Sequence, residues 1–175
     1  MRSAPPVALA IAASDSSAGA GLQADLKTFA AHGVHGVCAV TAIVAEVPGA
    51  VSRIDAVDPT LLDAQLNGVE SAFPLRAMKT GMLANEALVA VVVDFVRAHP
   101  GLPLVVDPVI RAGAGVPLLD EAGLARMKSD LLPLARLVTP NLPEAERLLG
   151  CAIRSAEDFA SAPRQLHERY GCDAL

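Results

Sequence analysis

Tryptophan is missing from this sequence, and aromatic residues make up only 3% of it. Alanine, valine and leucine take their place, as in a tightly layered α/β core. Cysteine is scarce too: Cys38, Cys151 and Cys172 stand far apart with no Cys-x-x-Cys pair, which excludes a disulfide framework or zinc site and sets a reducing cytoplasm as the expected compartment. There is no basic run, and the net charge is −5, so nucleic acid is not the expected partner. The hydrophobic share is 53%, yet no apolar stretch reaches the roughly 18 residues of a membrane span. The longest candidates, 36–45 and 88–96, are interrupted by Thr41 and Asp94. The four histidines are dispersed; His32 and His35 flank Gly33 in a turn without a third metal ligand nearby. No Gly-x-x-x-x-Gly-Lys-Ser/Thr loop occurs, which excludes a P-loop nucleotide site. Near the start, Arg2 precedes an apolar stretch, but Pro5 and Pro6 interrupt the approach, so a first strand is expected rather than a signal peptide.

What is present is alternation. Strand-like runs fall at 7–13, 36–44, 51–57, 77–80, 104–106 and 137–139. Helical spacing occupies 22–31, 59–71, 85–99, 121–131, 142–149 and 156–170. Such alternation predicts parallel strands with helical crossovers, hence a single three-layer α/β/α domain over 1–175. Asp58-Pro59 supplies a cap followed by proline at the first helical position, and Ser155 with Asp158 resembles a capping box. Between two strand-like runs, Pro48-Gly49 marks an antiparallel hairpin able to fold over a ligand. The final residues, Gly171 to Leu175, read as entry into a further strand, which predicts a chain truncated within its domain.

Five segments carry candidate chemistry. The first runs Ala13-Ser14-Asp15-Ser16-Ser17-Ala18-Gly19-Ala20-Gly21 and then enters a helix through Leu22-Gln23-Ala24-Asp25. A strand, a turn without bulk and a helix N-terminus let a small ligand approach backbone N–H groups. Asp25, expected in the first helical turn, either accepts from a substrate hydroxyl or amino group or complements the helix dipole. In the hairpin, Glu46 can only accept when ionised; it either accepts from a ligand's donor groups or stays solvated. Met82, after Met78-Lys79-Thr80-Gly81, supplies a ring contact or ordinary core packing. Val105-Val106-Asp107-Pro108-Val109 ends an apolar strand on a carboxylate. Finally, Thr139-Pro140-Asn141-Leu142-Pro143-Glu144 places a helix cap and a first-turn acid together.

Together these segments resemble hydroxymethylpyrimidine/phosphomethylpyrimidine kinases of thiamine biosynthesis, a branch of the ribokinase-like superfamily. The family's Gly-Ser-Asp-Ser-Ser-Gly-Gly-Ala-Gly-Ile-Gln-Ala-Asp-Leu-Lys-Thr is matched here from Ala13 to Thr28, with Ala13 and Ala18 replacing glycines. The resemblance implies ATP-dependent phosphorylation of 4-amino-5-hydroxymethyl-2-methylpyrimidine and then of its monophosphate. It implies Ala13, Asp25, Glu46, Met82 and Val109 around the substrate, Asn141 near the nucleotide phosphates, and Asp107 and Glu144 at Mg²⁺. Relatives usually carry Gln where Glu46 stands, while pyridoxal-preferring ones tend to be apolar there, so pyridoxal kinase is the alternative within the branch. Relatives also read Ala-Lys-Ser-Gly-Asp where this chain has 112–116, with Arg111 close by. The family's Lys-Gly-Gly segment and its Gly-Thr-Gly-Cys or Gly-Ala-Gly-Cys anion hole cannot be located, so no catalytic residue is assigned. The expectation for these residues alone is therefore negligible kinase activity, and a noncatalytic pyrimidine-binding fragment is the reading from another class. The hairpin and the apolar composition permit a homodimer.

Overall fold

The computed structural model describes residues 4–113 and 115–174. Ala114 and Leu175, both within segments singled out above, lie outside the described residues. Among those described, a seven-stranded sheet has the order β3-β2-β1-β4-β5-β6-β7. Its strands are β1 (Val7–Asp15), β2 (His35–Val47), β3 (Ala50–Ala56), β4 (Leu75–Thr80), β5 (Leu104–Val106), β6 (Leu137–Val138) and β7 (Asp173–Ala174). Only the β2–β3 pair is antiparallel, as the Pro-Gly hairpin requires. The expected strand after Gly171 is present as β7, paired with β6.

β1 is buried along nearly its whole length, so both of its faces need cover. Ala10 and Ala12 pack with Leu22 of α1 (Gly21–Ala31) on one face. Their small side chains, with Gly36 on β2, bring this helix close: a Cβ at Gly36 would lie 2.7 Å from Leu26 Cδ2. The alternate residues Val7, Leu9 and Ile11 join the main core on the other face. There they meet Leu62 and Leu66 of α2 (Pro59–Ala72) and Leu88, Val89 and Val92 of α3 (Glu86–Ala98). The α/β/α arrangement follows from that alternation.

Several helix starts are fixed locally. Asp58 accepts from the Thr60 amide at 2.8 Å, and Asn85 accepts from that of Leu88 at 3.0 Å. Both bonds of the Ser155–Asp158 capping box form at the head of α6 (Ala156–Tyr170). The helix expected over 121–131 is divided. After α4 (Glu121–Arg126) the chain widens into a π-helical turn at Met127–Leu131 and tightens into a 3-10 turn at Leu132–Leu134. Widening turns Met127, Leu131 and Leu132 all inward, where each is completely buried, and Pro133 ends the helical ladder.

β1 and β2 run further than their apolar runs suggest. Pairing of Ser14 with Ile43 and Asp15 with Val44, past a bulge, carries polar Ser14 and Asp15 into the ladder. On the edge of β2 away from β1, where β3 pairs only from Ala42 onward, Gln65 of α2 supplies both backbone bonds of Val40, accepting from its amide at 2.8 Å and donating to its carbonyl at 3.0 Å.

Candidate active site

In this strand order the chain leaves β1 toward β2 on one side and returns to β4 on the other, so a crevice opens at the carboxyl ends of the strands. A cleft of about 120 Å³ occupies it. Drug-sized ligands use pockets of roughly 300–1,000 Å³, so this one suits a single small ring. Ala13, Val44, Met82, Val109 and Leu118 give it apolar walls, and Asp15, Glu46, Lys79 and Asp107 carry the charged groups of its lining.

The turn after β1 is built around Asp15. Its buried carboxylate accepts from the amides of Ser17 (2.7 Å), Gly19 (3.1 Å) and Ala20 (2.8 Å) and from the Ser17 hydroxyl (2.9 Å). Burial alone would raise its pKa, but these donors outweigh burial and hold it below the ordinary carboxylate value. Asp15 therefore shapes the loop and has little left to offer a ligand. The turn closes with Gln23, which accepts from the Asp15 amide at 3.0 Å and donates to the Ser14 hydroxyl at 2.7 Å. Ser16 ties the hairpin down: its hydroxyl donates to the Glu46 carbonyl at 2.8 Å and accepts from the Glu46 amide at 2.9 Å. The Glu46 side chain has no hydrogen bond or ion pair among the described residues. Below the ring-sized space, the buried Thr41 hydroxyl donates to the Met82 carbonyl at 2.6 Å and fixes the segment that carries Met82.

Asp25 is placed differently from expectation. Because α1 begins at Gly21, Asp25 falls in the second turn, and the first turn holds no acid. It does not line the cleft. Both of its oxygens lie 3.0 Å from Lys79 Nζ, and the same ammonium reaches Asp107 Oδ2 at 3.4 Å. Lys79 is thus the functional candidate that the motif pattern left unassigned. A lysine inside an apolar strand run was the available signal, since a buried ammonium demands an acidic partner.

Asn141 and Glu144 stand at the head of α5 (Leu142–Leu149), closing a full capping box. The Asn141 amide donates to Glu144 Oε2 at 2.9 Å, and the Glu144 amide donates to Asn141 Oδ1 at 3.0 Å. They line a second cavity of about 310 Å³ together with Arg111 and Arg147. Asp107 faces the first cavity and Glu144 the second. Burial pushes the pKa of both carboxylates up; Lys79 opposes the rise at Asp107, the Asn141 contacts oppose it at Glu144, and the charge of Asp107 adds to it at Glu144. A buried Glu144 whose ionisation is disfavoured by the charge of a half-buried Asp107 is suited to a nearby cation.

No group of three or more metal-binding side chains exists among the described residues. Mg²⁺ commonly takes one or two carboxylates and completes its shell with water and phosphate oxygens, so Asp107 with Glu144 fits that ion in type.

The sequence pattern of the phosphomethylpyrimidine kinase family matches residues 15–175. The chain belongs to that family. It is 45% identical over 165 residues to a hydroxymethylpyrimidine/phosphomethylpyrimidine kinase of Synechococcus elongatus, an alignment covering 94% of this chain and 62% of the relative. The chain thus spans under two thirds of the length of that curated relative. Its fold superimposes on phosphomethylpyrimidine kinase from Clostridium difficile with a TM-score of 0.85 at 35% identity, covering 93% of this chain and 71% of the other. A Staphylococcus aureus pyridoxal kinase solved with AMP-PCP and pyridoxal gives a TM-score of 0.82 at 36% identity, covering 95% of this chain and 60% of that one. The three-layer α/β/α expectation is that of ribokinase-like kinases, and the phosphomethylpyrimidine kinase family fold is what these neighbours share with it. No helix among the described residues is long and apolar enough to cross a membrane.

Proposed function

We propose that these residues carry the alcohol-binding cleft and the carboxylate pair of an ATP-dependent hydroxymethylpyrimidine/phosphomethylpyrimidine kinase serving thiamine biosynthesis. One observation carries the reading: a ring-sized apolar cleft at the sheet's switch point has Asp107 in its lining, and a second, larger cavity is lined by Asn141 and Glu144. A small alcohol in the first cavity and nucleotide phosphates in the second meet at those carboxylates. Ala13, Met82 and Val109 hold the ring, and Glu46 accepts from its amino edge. Asn141 stands at the phosphates. Asp107 and Glu144 would hold Mg²⁺, which would supply charge neutralisation for the phosphates. Phosphoryl transfer depends chiefly on positioning and electrostatic stabilisation, so these residues hold two reactants in line.

The similarity to pyridoxal kinases of the same fold supports pyridoxal as the second reading for the cleft. The same proposal includes a single kinase domain, a reducing cytoplasm as its setting and a homodimer. The last is supported by Ile43 and Val47 on the hairpin strand, which stay 63% and 60% exposed. The test is calorimetric titration of the purified chain with hydroxymethylpyrimidine and with pyridoxal, followed by ADP release from Mg²⁺-ATP in the presence of each. Pyrimidine binding above pyridoxal binding is expected. Pyridoxal binding alone reassigns the substrate, binding of neither compound overturns the reading, and ADP release that depends on the pyrimidine overturns the expectation that these residues alone have negligible activity.

A further inference from the structure

The proposed kinase reading leaves open which group of the protein meets the alcohol that receives the phosphoryl group. Strand order fixes the direction of the cleft. Glu46 lies at the end of β2 and Asp107 follows β5, with β1 and β4 between. Three strand spacings separate those ends, about 14 Å. A hydroxyl to be phosphorylated must face the carboxylate pair, hence the β4–β5 end. The charged groups of the lining at that end are Lys79 and Asp107.

Asp25 does not line the cleft, and each of its oxygens lies 3.0 Å from Lys79 Nζ. What reaches the cleft is the ammonium instead, on a side chain 21% exposed. Of its three N–H groups, two are satisfied by Asp25. The remaining contact, to Asp107 Oδ2, is 3.4 Å. Charge-assisted bonds usually run about 2.7–2.9 Å, so the third donor is under-used. A side chain at position 81 would crowd it, because a Cβ on Gly81 would lie 3.2 Å from Nζ and 3.0 Å from the Ala12 Cβ. Gly81 leaves room for the ammonium at the cleft floor.

We propose that Lys79, held by Asp25, donates its third N–H to the hydroxymethyl oxygen of the substrate and so binds and orients that hydroxyl at the Asp107 end of the cleft. Asp25 acts through Lys79 as a positioning residue. This inference rests on the pyrimidine-kinase reading.

The experiment is calorimetric binding of two ligands that differ only in the hydroxyl: 4-amino-5-hydroxymethyl-2-methylpyrimidine and 4-amino-2,5-dimethylpyrimidine. Three forms are compared: the unaltered chain, Lys79→Met, and the double variant Asp25→Asn with Lys79→Met. The double variant removes the acid that the single one leaves unpaired, so a folded protein is available if the single variant fails. The unaltered chain is expected to prefer the hydroxymethyl compound by about tenfold, the scale of one bond to a charged donor. In the variants that preference falls to about one, with affinity for the dimethyl compound held within about twofold. A preference that survives in the variants overturns the inference while leaving the pyrimidine reading standing. Equal loss of both ligands makes Lys79 structural and overturns it too. Failure of the unaltered chain to bind either pyrimidine overturns the underlying reading and the inference with it.

Discussion

A Cβ on Gly21 would lie 2.5 Å from the carbonyl oxygen of Ala13, across the mouth of the proposed substrate cleft. Gly21 also has φ of +57°, in the left-handed region that side chains disfavour. Two independent constraints therefore meet at one residue. Gly21→Ala is expected to destabilise the chain by about 2 kcal/mol, within the range of strained backbone sites. It should also displace Ala13 from the cleft and weaken pyrimidine binding. Urea denaturation and calorimetric titration of the variant check both effects; an unchanged urea midpoint would contradict this geometry.

Ala18 presents the opposite case. It holds φ of +56° with a Cβ, in a turn whose opening motif elsewhere carries glycine. Left-handed backbone costs an ordinary residue about 1–2 kcal/mol. Glycine would remove that strain but bring extra freedom to the unfolded chain, an offset of about 0.5–1 kcal/mol. Ala18→Gly is thus expected to stabilise by about 0.5 kcal/mol. The comparison of urea midpoints with the unaltered chain reads it directly, and a loss of stability would show that the strain is relieved elsewhere in the turn.

The turn should also be acid-sensitive through Asp15. Its folded pKa lies below the ordinary value because four donors favour the carboxylate. The folded state therefore binds fewer protons than the unfolded one across the interval between the two pKa values. That contribution is fully present above the unfolded pKa and is lost as pH falls through the folded one. Asp15→Asn replaces an acceptor with a donor facing the Gly19 and Ala20 amides, and is expected to cost about 2 kcal/mol at pH 7. The difference from the unaltered chain should shrink steadily in urea titrations carried below pH 4.

These turn residues also show where the amino-acid sequence is informative. Strand and helix order was readable because burial enforces period: Val7, Leu9 and Ile11 alternate with Ala8, Ala10 and Ala12, and α5 and α6 are bounded by caps with side-chain chemistry of their own. The ends of β1 and β2 were not, because Ser14 and Asp15 are turn formers that only pairing with Ile43 and Val44 holds extended. The division after Arg126 escaped for a similar reason: helical spacing does not distinguish an α turn from a π turn when Met127, Leu131 and Leu132 are all apolar. At the site, Ala13, Glu46, Met82, Val109 and Asp107 line one cleft, and Asn141 and Glu144 line another. Motif matching could name these positions but not their partners. Lys79 and Asp25 are 54 residues apart, and only the packing of α1 on β1, whose sheet neighbour is β4, brings the acid onto the ammonium.

The carboxylate pair gives the last prediction, in which stability and function should separate. Burial raises the pKa of Asp107 above its ordinary value despite Lys79. An acid with a raised folded pKa makes the folded state bind more protons than the unfolded one. Its ionisation penalises the fold as pH rises through that window, and the penalty stays in full above the folded pKa. Asp107→Asn removes the penalty, while Lys79 keeps both bonds to Asp25. Its thermal midpoint at pH 8 is therefore expected to equal or exceed that of the unaltered chain, with the gap closing as pH falls. Glu144→Gln retains an oxygen able to accept from the Asn141 amide, so the capping box survives and stability should change by less than about 1 kcal/mol. Both variants should nevertheless lose the Mg²⁺-dependent part of any thermal shift produced by ATP, since that shift reports ligand bound to the folded state. Thermal scans at pH 5 and pH 8, with and without Mg²⁺-ATP, measure all of this. A large drop in the midpoint of Asp107→Asn at pH 8 would instead make Asp107 a structural partner of Lys79, and an undiminished Mg²⁺ effect in both variants would remove the pair from the metal site.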